Sequence, residues 1–170
     1  KLDKEIVEEF NDDWEELSYQ AQLIMAQYKK MDISSLNPEL HIEQIPEGLD
    51  AEKETKVRVG QYFFRLSVLN AYGNTCCITG VRSPEMLTAS HIKPWKDSDS
   101  KTERTNPSNG LCLNALHDRA FGSGLITLDK NYRVVFSKKL SEIKMDEKTQ
   151  EWFYVYEKQQ IVLPDKFLPG

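Results

Sequence analysis

The sequence lacks several features that define whole classes of protein. No apolar run approaches the ~20 residues that a membrane-spanning helix needs, and no signal peptide is visible, so we expect neither membrane insertion nor export. The three cysteines, Cys76, Cys77 and Cys112, form no CxxC pair and no even-numbered framework. This argues against a zinc ribbon and for a reducing, cytoplasmic setting, with the cysteines as small core residues.

Histidine is also scarce, which limits the candidate bases near neutral pH. The chain has three histidines: His41, His91 and His117. His41 lies in a stretch without any neighbouring motif, so we expect no catalytic role for it. A base would therefore be sought at His91 or His117.

The net charge of −5 is divided unevenly along the chain. Residues 1–55 carry 5 basic and 15 acidic side chains, residues 56–140 carry 13 and 6, and residues 141–170 carry 4 and 6. Because cations that neutralise phosphates supply most non-specific affinity for nucleic acid, the basic middle segment is where such a partner would bind. A solvated charged face is the alternative interpretation. We predict an acidic helical arm and linker over 1–55, a basic domain over 56–140 and a C-terminal extension over 141–170 that packs on the core.

Two amphipathic helices are predicted in the first half. The first has apolar residues at spacings of three and four and ends near Lys29 and Lys30, where cations complement the helix dipole. Its apolar positions are Ile6, Phe10, Trp14, Leu17, Ala21, Ile24 and Tyr28. Such a stripe packs in a core by default, and a contact with a second copy is the alternative. A second amphipathic helix follows a linker over 31–50; its apolar positions extend from Val59 to Tyr72, and Gly73 is its stop.

The pattern changes after Gly80, where short strands alternate with turns. The predicted elements are a strand over Met86–Ile92, a polar loop over Lys96–Ser108, a strand over Gly110–Leu113, a helix over Ala115–Phe121, and a hairpin of Leu125–Leu128 with Arg133–Phe136. The tail around Trp152–Val155 and Ile161–Leu163 has mixed signals and supports no prediction.

Two motifs carry side chains suited to phosphodiester hydrolysis. SHIKPW places His91 at the end of one strand, and NGLCLNALHD places Asn109 at the start of the next strand and His117 with Asp118 on the following helix. Hydrolysis needs a base for water, which an imidazole supplies, and a cation that offsets charge on the phosphate, which a divalent metal supplies. An asparagine amide can fix the loop or the imidazole tautomer. A hairpin that leads into a helix can bring these groups around one cavity.

The run from Gln61 to Leu128 resembles the bacterial HNH endonucleases of the restriction type. The matching pieces, in order, are Gln61–Arg65, Cys77–Gly80, Ala89–Trp95, Asn109–Leu113 and His117–Gly124. The resemblance implies an α+β fold with a ββα-metal (HNH) core, to which the residue patterns add an N-terminal amphipathic helical arm, flanking helices and a further hairpin. It also implies cleavage of DNA to a 5′-phosphate and a 3′-hydroxyl with one divalent ion, Mg²⁺ or Mn²⁺.

Carried onto this sequence, the resemblance makes His91 the general base and Asn109 the residue that steadies the hairpin. The metal ligand of the superfamily lies about nine positions after that asparagine, at Asp118, whereas His117 preserves the H-N-H lettering. Adjacent helical residues point about 100° apart, so both cannot easily bind one ion. A carboxylate suits a hard ion, which favours Asp118 and leaves His117 as a competitor. Four cations are candidate phosphate contacts: Lys93, Lys96, Arg104 and Arg119.

The sequence departs from the family pattern at two positions. Ser90 stands where many members have an aspartate that binds the metal, directly before the catalytic histidine, which implies weak metal binding without DNA. Gly122 follows Phe121 where relatives commonly have an aspartate, which implies low activity. The leading hypothesis is a restriction or defence endonuclease with a sensing or sequence-reading domain upstream of Lys1 and a homodimer contact through the first helix. The alternatives are a less specific nuclease effector that another domain activates, and a degenerate HNH fold that serves in DNA binding or dimerisation.

Overall fold

A computed structural model describes residues 13–37 and 50–170, and it has the predicted α+β fold. The described residues divide into two compact units. One contains the residues up to Ser67 together with Lys93–Asn109, and the other contains Val68–Ile92 and Gly110–Gly170. Across these described ranges, no helix has both the length and the apolar character that crossing a membrane would require.

Three helices occupy the first part of the described chain. They are α1 (Trp14–Lys29), α2 (Ile33–Leu36) and α3 (Ala51–Ala71). The Asp13 side chain caps α1 by accepting the Glu16 N–H at 2.9 Å. Lys30, with φ of 55°, ends the helix at the predicted place. The part of the predicted first helix before residue 13 lies outside the described residues.

The predicted second helix directly follows the linker and begins at Ala51. Its first two turns consist mostly of charged and polar residues, and its apolar positions begin at Val57 and Val59. Gly73 follows its end with φ of +57°, a left-handed conformation that favours glycine, so the predicted stop is confirmed.

The apolar stripe predicted for α1 is only partly buried. Ser18 and Ala26 are the buried residues of this helix, whereas Ile24 and Tyr28 are 64% and 84% exposed. A small polar residue and an alanine permit close packing, and the bulky side chains near the C-terminal end of α1 face solvent. The expectation that the whole stripe packs in a core is therefore wrong at these two positions.

Within the first unit, α1 contacts both α3 and the loop over residues 93–109. The Trp14 N–H donates to the Lys101 carbonyl at 2.9 Å, and Lys56 on α3 pairs with Glu16. A Cβ at Gly60 would lie 3.0 Å from the Thr105 methyl group, so this crossing depends on a residue without a side chain. The loop is therefore packed against the helices of this unit.

The second unit contains the predicted hairpin followed by a helix. Strands β1 (Leu87–His91) and β2 (Gly110–Asn114) are antiparallel, with Leu87 opposite Asn114 and His91 opposite Gly110. Helix α4 (Ala115–Gly122) follows directly and packs against both strands. The predicted boundaries of these elements are confirmed to within one residue.

A second hairpin and two helices complete this unit. Strands β3 (Ile126–Leu128) and β4 (Val134–Phe136) pair antiparallel, as predicted, and are followed by α5 (Lys138–Glu142) and α6 (Glu147–Tyr154). The core of the unit joins a residue from each of four elements: Ala120, Ile126, Leu140 and Phe153. The tail, for which the pattern supported no prediction, thus contributes Phe153 to the core.

The three cysteines are buried core residues, as the sequence indicated. Cys76, Cys77 and Cys112 are 0%, 1% and 0% exposed, and all three thiols are free. The Cys77 N–H donates to the Cys112 carbonyl at 2.8 Å, which ties the segment before β1 to β2. Burial raises the pKa of the Cys77 thiol well above its usual range, and the two neighbouring cysteines add to this effect.

Candidate active site

His91 is the last residue of β1, in the second unit. It lies opposite Gly110 in the hairpin register, and its side chain is half-buried. The strand therefore fixes the backbone of His91, while Gly110 places no side chain opposite the imidazole. An imidazole that is held in this way and remains accessible to water has the properties required of a general base near neutral pH.

Asn109, in the first unit, joins the two ends of the loop over residues 93–109. Its Oδ1 accepts the Lys93 N–H at 2.8 Å, and its Nδ2 donates to the Lys93 carbonyl at 3.2 Å. The same Nδ2 reaches the Ser98 hydroxyl at 3.2 Å and the Glu103 carbonyl at 3.3 Å. One amide side chain thus pairs with both backbone groups of Lys93 and closes the loop.

Two of the four cations predicted to contact phosphate have partners inside the loop. Lys93 pairs with Glu103, and the Asp99 N–H also donates to the Glu103 carboxylate at 2.8 Å. These hydrogen bonds, the first from Lys93, hold the pKa of Glu103 below its usual range. The same contacts stabilise the loop, which gives Lys93 a structural role.

Arg104 is likewise engaged with the loop. Its Nε donates to the carbonyls of Trp95 and Ser98, each at 3.2 Å, and its guanidinium lies 5.5 Å from the centre of the Trp95 ring. Lys96 in the first unit and Arg119 in the second have exposed side chains. Lys93 is exposed as well but is paired with Glu103, which leaves Lys96 and Arg119 as the better candidates for binding a polyanion.

The N-terminus of α4 is held by Asn114, a residue that the sequence analysis did not single out. Its Oδ1 accepts the His117 N–H at 2.9 Å, its Nδ2 donates to the Thr79 hydroxyl at 3.0 Å, and its own N–H donates to Cys76 Sγ at 3.2 Å. An asparagine directly before a predicted helix is a recognisable capping signal, so the sequence did contain the information. This cap fixes the first turn of α4, which carries His117 and Asp118.

His117 is buried in the core of the second unit and is only 3% exposed. Its ring centre lies 5.4 Å from that of Phe153 and 5.6 Å from that of Tyr156. Nδ1 lies 3.1 Å from Asn114 Oδ1, within hydrogen-bonding distance. Nε2 is buried and forms no hydrogen bond of ordinary geometry. These contacts favour a packing role for His117 over a role in metal binding.

The burial of His117 has a consequence for stability. Burial lowers the pKa of the imidazole below its ordinary 6.5, while the Trp152 backbone acts in the opposite direction. The folded state then binds fewer protons than the unfolded state, so the stabilisation is complete above pH ~6.5 and is lost as the pH falls below that value. We expect the thermal unfolding midpoint of the wild type to fall more between pH 7.5 and 5.5 than that of His117→Phe, which keeps a ring but cannot titrate. Equal falls would contradict this assignment.

Asp118 is half-buried in the first turn of α4. In the described part of the chain, no three His, Cys, Asp or Glu side chains converge into a preformed metal site. Mg²⁺ is commonly held by one or two carboxylates, with water and substrate phosphates completing its shell. A single carboxylate on an anchored helix fits that sparse donor set, whereas it does not suit a structural zinc ion, which needs four protein ligands.

The two positions that depart from the family pattern differ in their surroundings. Ser90 is 5% exposed within β1. Gly122 is exposed at the end of α4, and no atom lies within 4 Å of the position that a Cβ would occupy there. Position 122 therefore faces open space, and the lack of a side chain there leaves no cavity.

Comparison with known families gives one match, over residues 76–129, to the family model described as HNH endonuclease. The matched segment contains His91, Asn109, His117 and Asp118, together with β1, β2, α4 and β3. The curated proteins contain no significant match to the chain.

Proposed function

We propose that His91 is the general base and that Asp118 holds a divalent metal ion in this HNH endonuclease domain, whose family supports hydrolysis of phosphodiester bonds in DNA. The observation that carries the assignment is the position of His91, which is half-buried at the end of β1, within the matched segment. The products are a 5′-phosphate and a 3′-hydroxyl.

In this proposal His91 accepts the proton of the attacking water. A neutral imidazole is a sufficient base near pH 7, and the antiparallel pairing of His91 with Gly110 fixes the backbone that carries the ring. Asn109 is assigned to holding the loop that begins two residues after His91, through its two hydrogen bonds to Lys93.

Asp118 is assigned as the metal ligand because its carboxylate is accessible in a capped first helical turn, whereas the His117 ring is enclosed by Phe153 and Tyr156. Mg²⁺ or Mn²⁺ bound there would supply Lewis-acid stabilisation of the charge on the phosphate and the departing oxygen. With a single carboxylate and no preformed cluster among residues 13–37 and 50–170, the affinity for metal in the absence of DNA is expected to be weak.

Phosphate binding is assigned to the exposed cations Lys96 and Arg119. Lys93 would have to leave Glu103 to reach a phosphate, and Arg104 is engaged with the Trp95 and Ser98 carbonyls. Lys93 and Arg104 are therefore assigned to stabilising the loop rather than to binding phosphate. A role in restriction or anti-phage defence is the biological setting that we propose for this activity, with self-association through the exposed end of α1 as the proposed assembly.

The function is tested by incubating the purified protein with supercoiled plasmid and Mg²⁺ or Mn²⁺, with and without EDTA. We expect metal-dependent nicking or linearisation, and fragment ends that a ligase rejoins without prior phosphorylation. Discrete fragments would indicate sequence-specific restriction, and a smear would indicate a less specific effector.

A second candidate function is a degenerate HNH fold that binds DNA without cutting it. It is favoured by Ser90 and Gly122, which offer no carboxylate at the two positions where the family pattern has one. An intact plasmid under every metal condition, together with salt-sensitive DNA binding in an anisotropy titration, would establish this alternative and contradict the nuclease proposal.

A further inference from the structure

Ser98 occupies the interior of the loop over residues 93–109 and is 5% exposed. Its Oγ lies 2.9 Å from the Lys93 carbonyl and 3.0 Å from the Pro94 carbonyl, and it accepts a hydrogen bond from Asn109 Nδ2 at 3.2 Å. A hydroxyl has one proton, which these carbonyls can engage, and lone pairs that remain for the asparagine. Ser98 therefore connects the start of the loop with the residue that closes it.

The Ser98 hydroxyl also contributes to the orientation of the Asn109 amide, whose Oδ1 accepts the Lys93 N–H. Nδ2 faces three acceptors, of which Ser98 Oγ is the side-chain acceptor and the Lys93 and Glu103 carbonyls are the others, at 3.2 and 3.3 Å. Without the hydroxyl, Nδ2 keeps two long contacts to backbone, and the carbonyls of Lys93 and Pro94 lose a donor. A buried polar group without its partner costs free energy, so the amide becomes less firmly oriented.

We propose that Ser98 is a positioning residue for DNA hydrolysis that acts through Asn109, an inference that rests on the function proposed above. Asn109 holds both backbone groups of Lys93, and Lys93 follows His91 by two residues in the chain. Ser98 thus contributes to fixing the backbone segment that follows the strand carrying His91.

The first test compares Ser98→Ala with the wild type and with Ser100→Ala, which makes the same chemical change at a half-buried serine two residues away. Displacement of catalytic groups by a distant change costs about 10- to 100-fold in rate. We expect kcat to fall by this factor in Ser98→Ala, with KM for DNA unchanged, at a temperature well below unfolding. Ser100→Ala should keep the wild-type kcat.

A double-mutant cycle then tests the route through Asn109. If Ser98 acts by orienting that amide, Ser98→Ala should reduce kcat only slightly further in the Asn109→Ala background. Independent, additive losses in the two backgrounds would show that Ser98 has a general structural role, and a wild-type kcat in Ser98→Ala would also overturn the proposal.

The link between the two side chains has a readout that does not require activity. In the His91→Ala background, the Asn109 side-chain NH₂ resonances should exchange with solvent faster when Ser98 is also alanine, and Ser100→Ala should leave them unchanged. Equal exchange rates with and without the Ser98 hydroxyl would refute the link. If the wild type cuts no DNA, the proposed function and the catalytic consequence both fail, and the exchange rates still decide whether Ser98 orients Asn109.

Discussion

His91→Ala is expected to lower the rate of plasmid cleavage by about 10²–10⁴-fold, the usual cost of removing a general base. DNA affinity and the unfolding midpoint should change little, because the side chain lies at a strand end and is only half-buried. The measurement is single-turnover cleavage with the protein in excess, together with an anisotropy titration of labelled DNA in Ca²⁺.

The matched control for this variant is His41→Ala, which removes a histidine outside the segment that matches the HNH family. It should cleave at the wild-type rate. If His91→Ala cuts as fast as the wild type, the base has been assigned to the wrong residue. If it loses DNA binding in parallel with cleavage, His91 acts in binding rather than in chemistry.

Asp118→Ala is expected to raise the Mg²⁺ concentration for half-maximal cleavage by at least about 10-fold, because it removes the proposed protein ligand. Asp118→Asn keeps the shape of the side chain and removes its charge, so it should show most of the same shift. Titration of Mg²⁺ against initial cleavage rate, at fixed ionic strength, measures the effect.

His117→Ala should affect stability rather than the metal requirement, because it deletes a ring that is packed against Phe153 and Tyr156. We expect a loss of unfolding free energy of about 2 kcal/mol or more and an unchanged metal requirement in the folded fraction. If His117→Ala raised the Mg²⁺ concentration for half-maximal cleavage and Asp118→Ala did not, His117 would be the metal ligand and Asp118 would not.

The hairpin and its helix could be predicted from sequence because their signals are local. Alternating residues before Pro94, the Asn109–Gly110 turn signal and the glycines after Phe121 lie within or beside the elements that they define. The same is true of Asn114, whose capping role follows from its place directly before α4. Each of these signals depends on neighbours a few residues away.

Local sequence signals did not decide whether His117 or Asp118 is the metal ligand. The burial of His117 depends on Phe153 and Tyr156, which come from the tail that carried no clear pattern. Whether a residue in the first turn of a helix is buried depends on what packs against it. For His117 the packing partners are more than 30 residues away in the chain. Local periodicity therefore left both residues open.

The cations show a similar limit. The sequence shows a positive side chain but not its partner, and Lys93 and Glu103 are paired by the path of the loop between them. Arg104 is held by carbonyl groups, which every residue possesses and which no sequence pattern marks. Ser98 was missed for the same reason, because its importance comes from backbone groups that only the folded loop brings together.

The burial of the three cysteines makes them internal reporters of motion in the second unit. A thiol reacts as its thiolate, and Cys77 is both enclosed and held in the neutral form by its surroundings. An alkylating reagent must therefore wait for the unit to open before it can reach Cys76, Cys77 or Cys112. The rate at which free thiols disappear under such a reagent therefore depends on the opening of the second unit. It equals the opening rate when alkylation is faster than reclosing, and it scales with the fraction of open molecules when reclosing is faster.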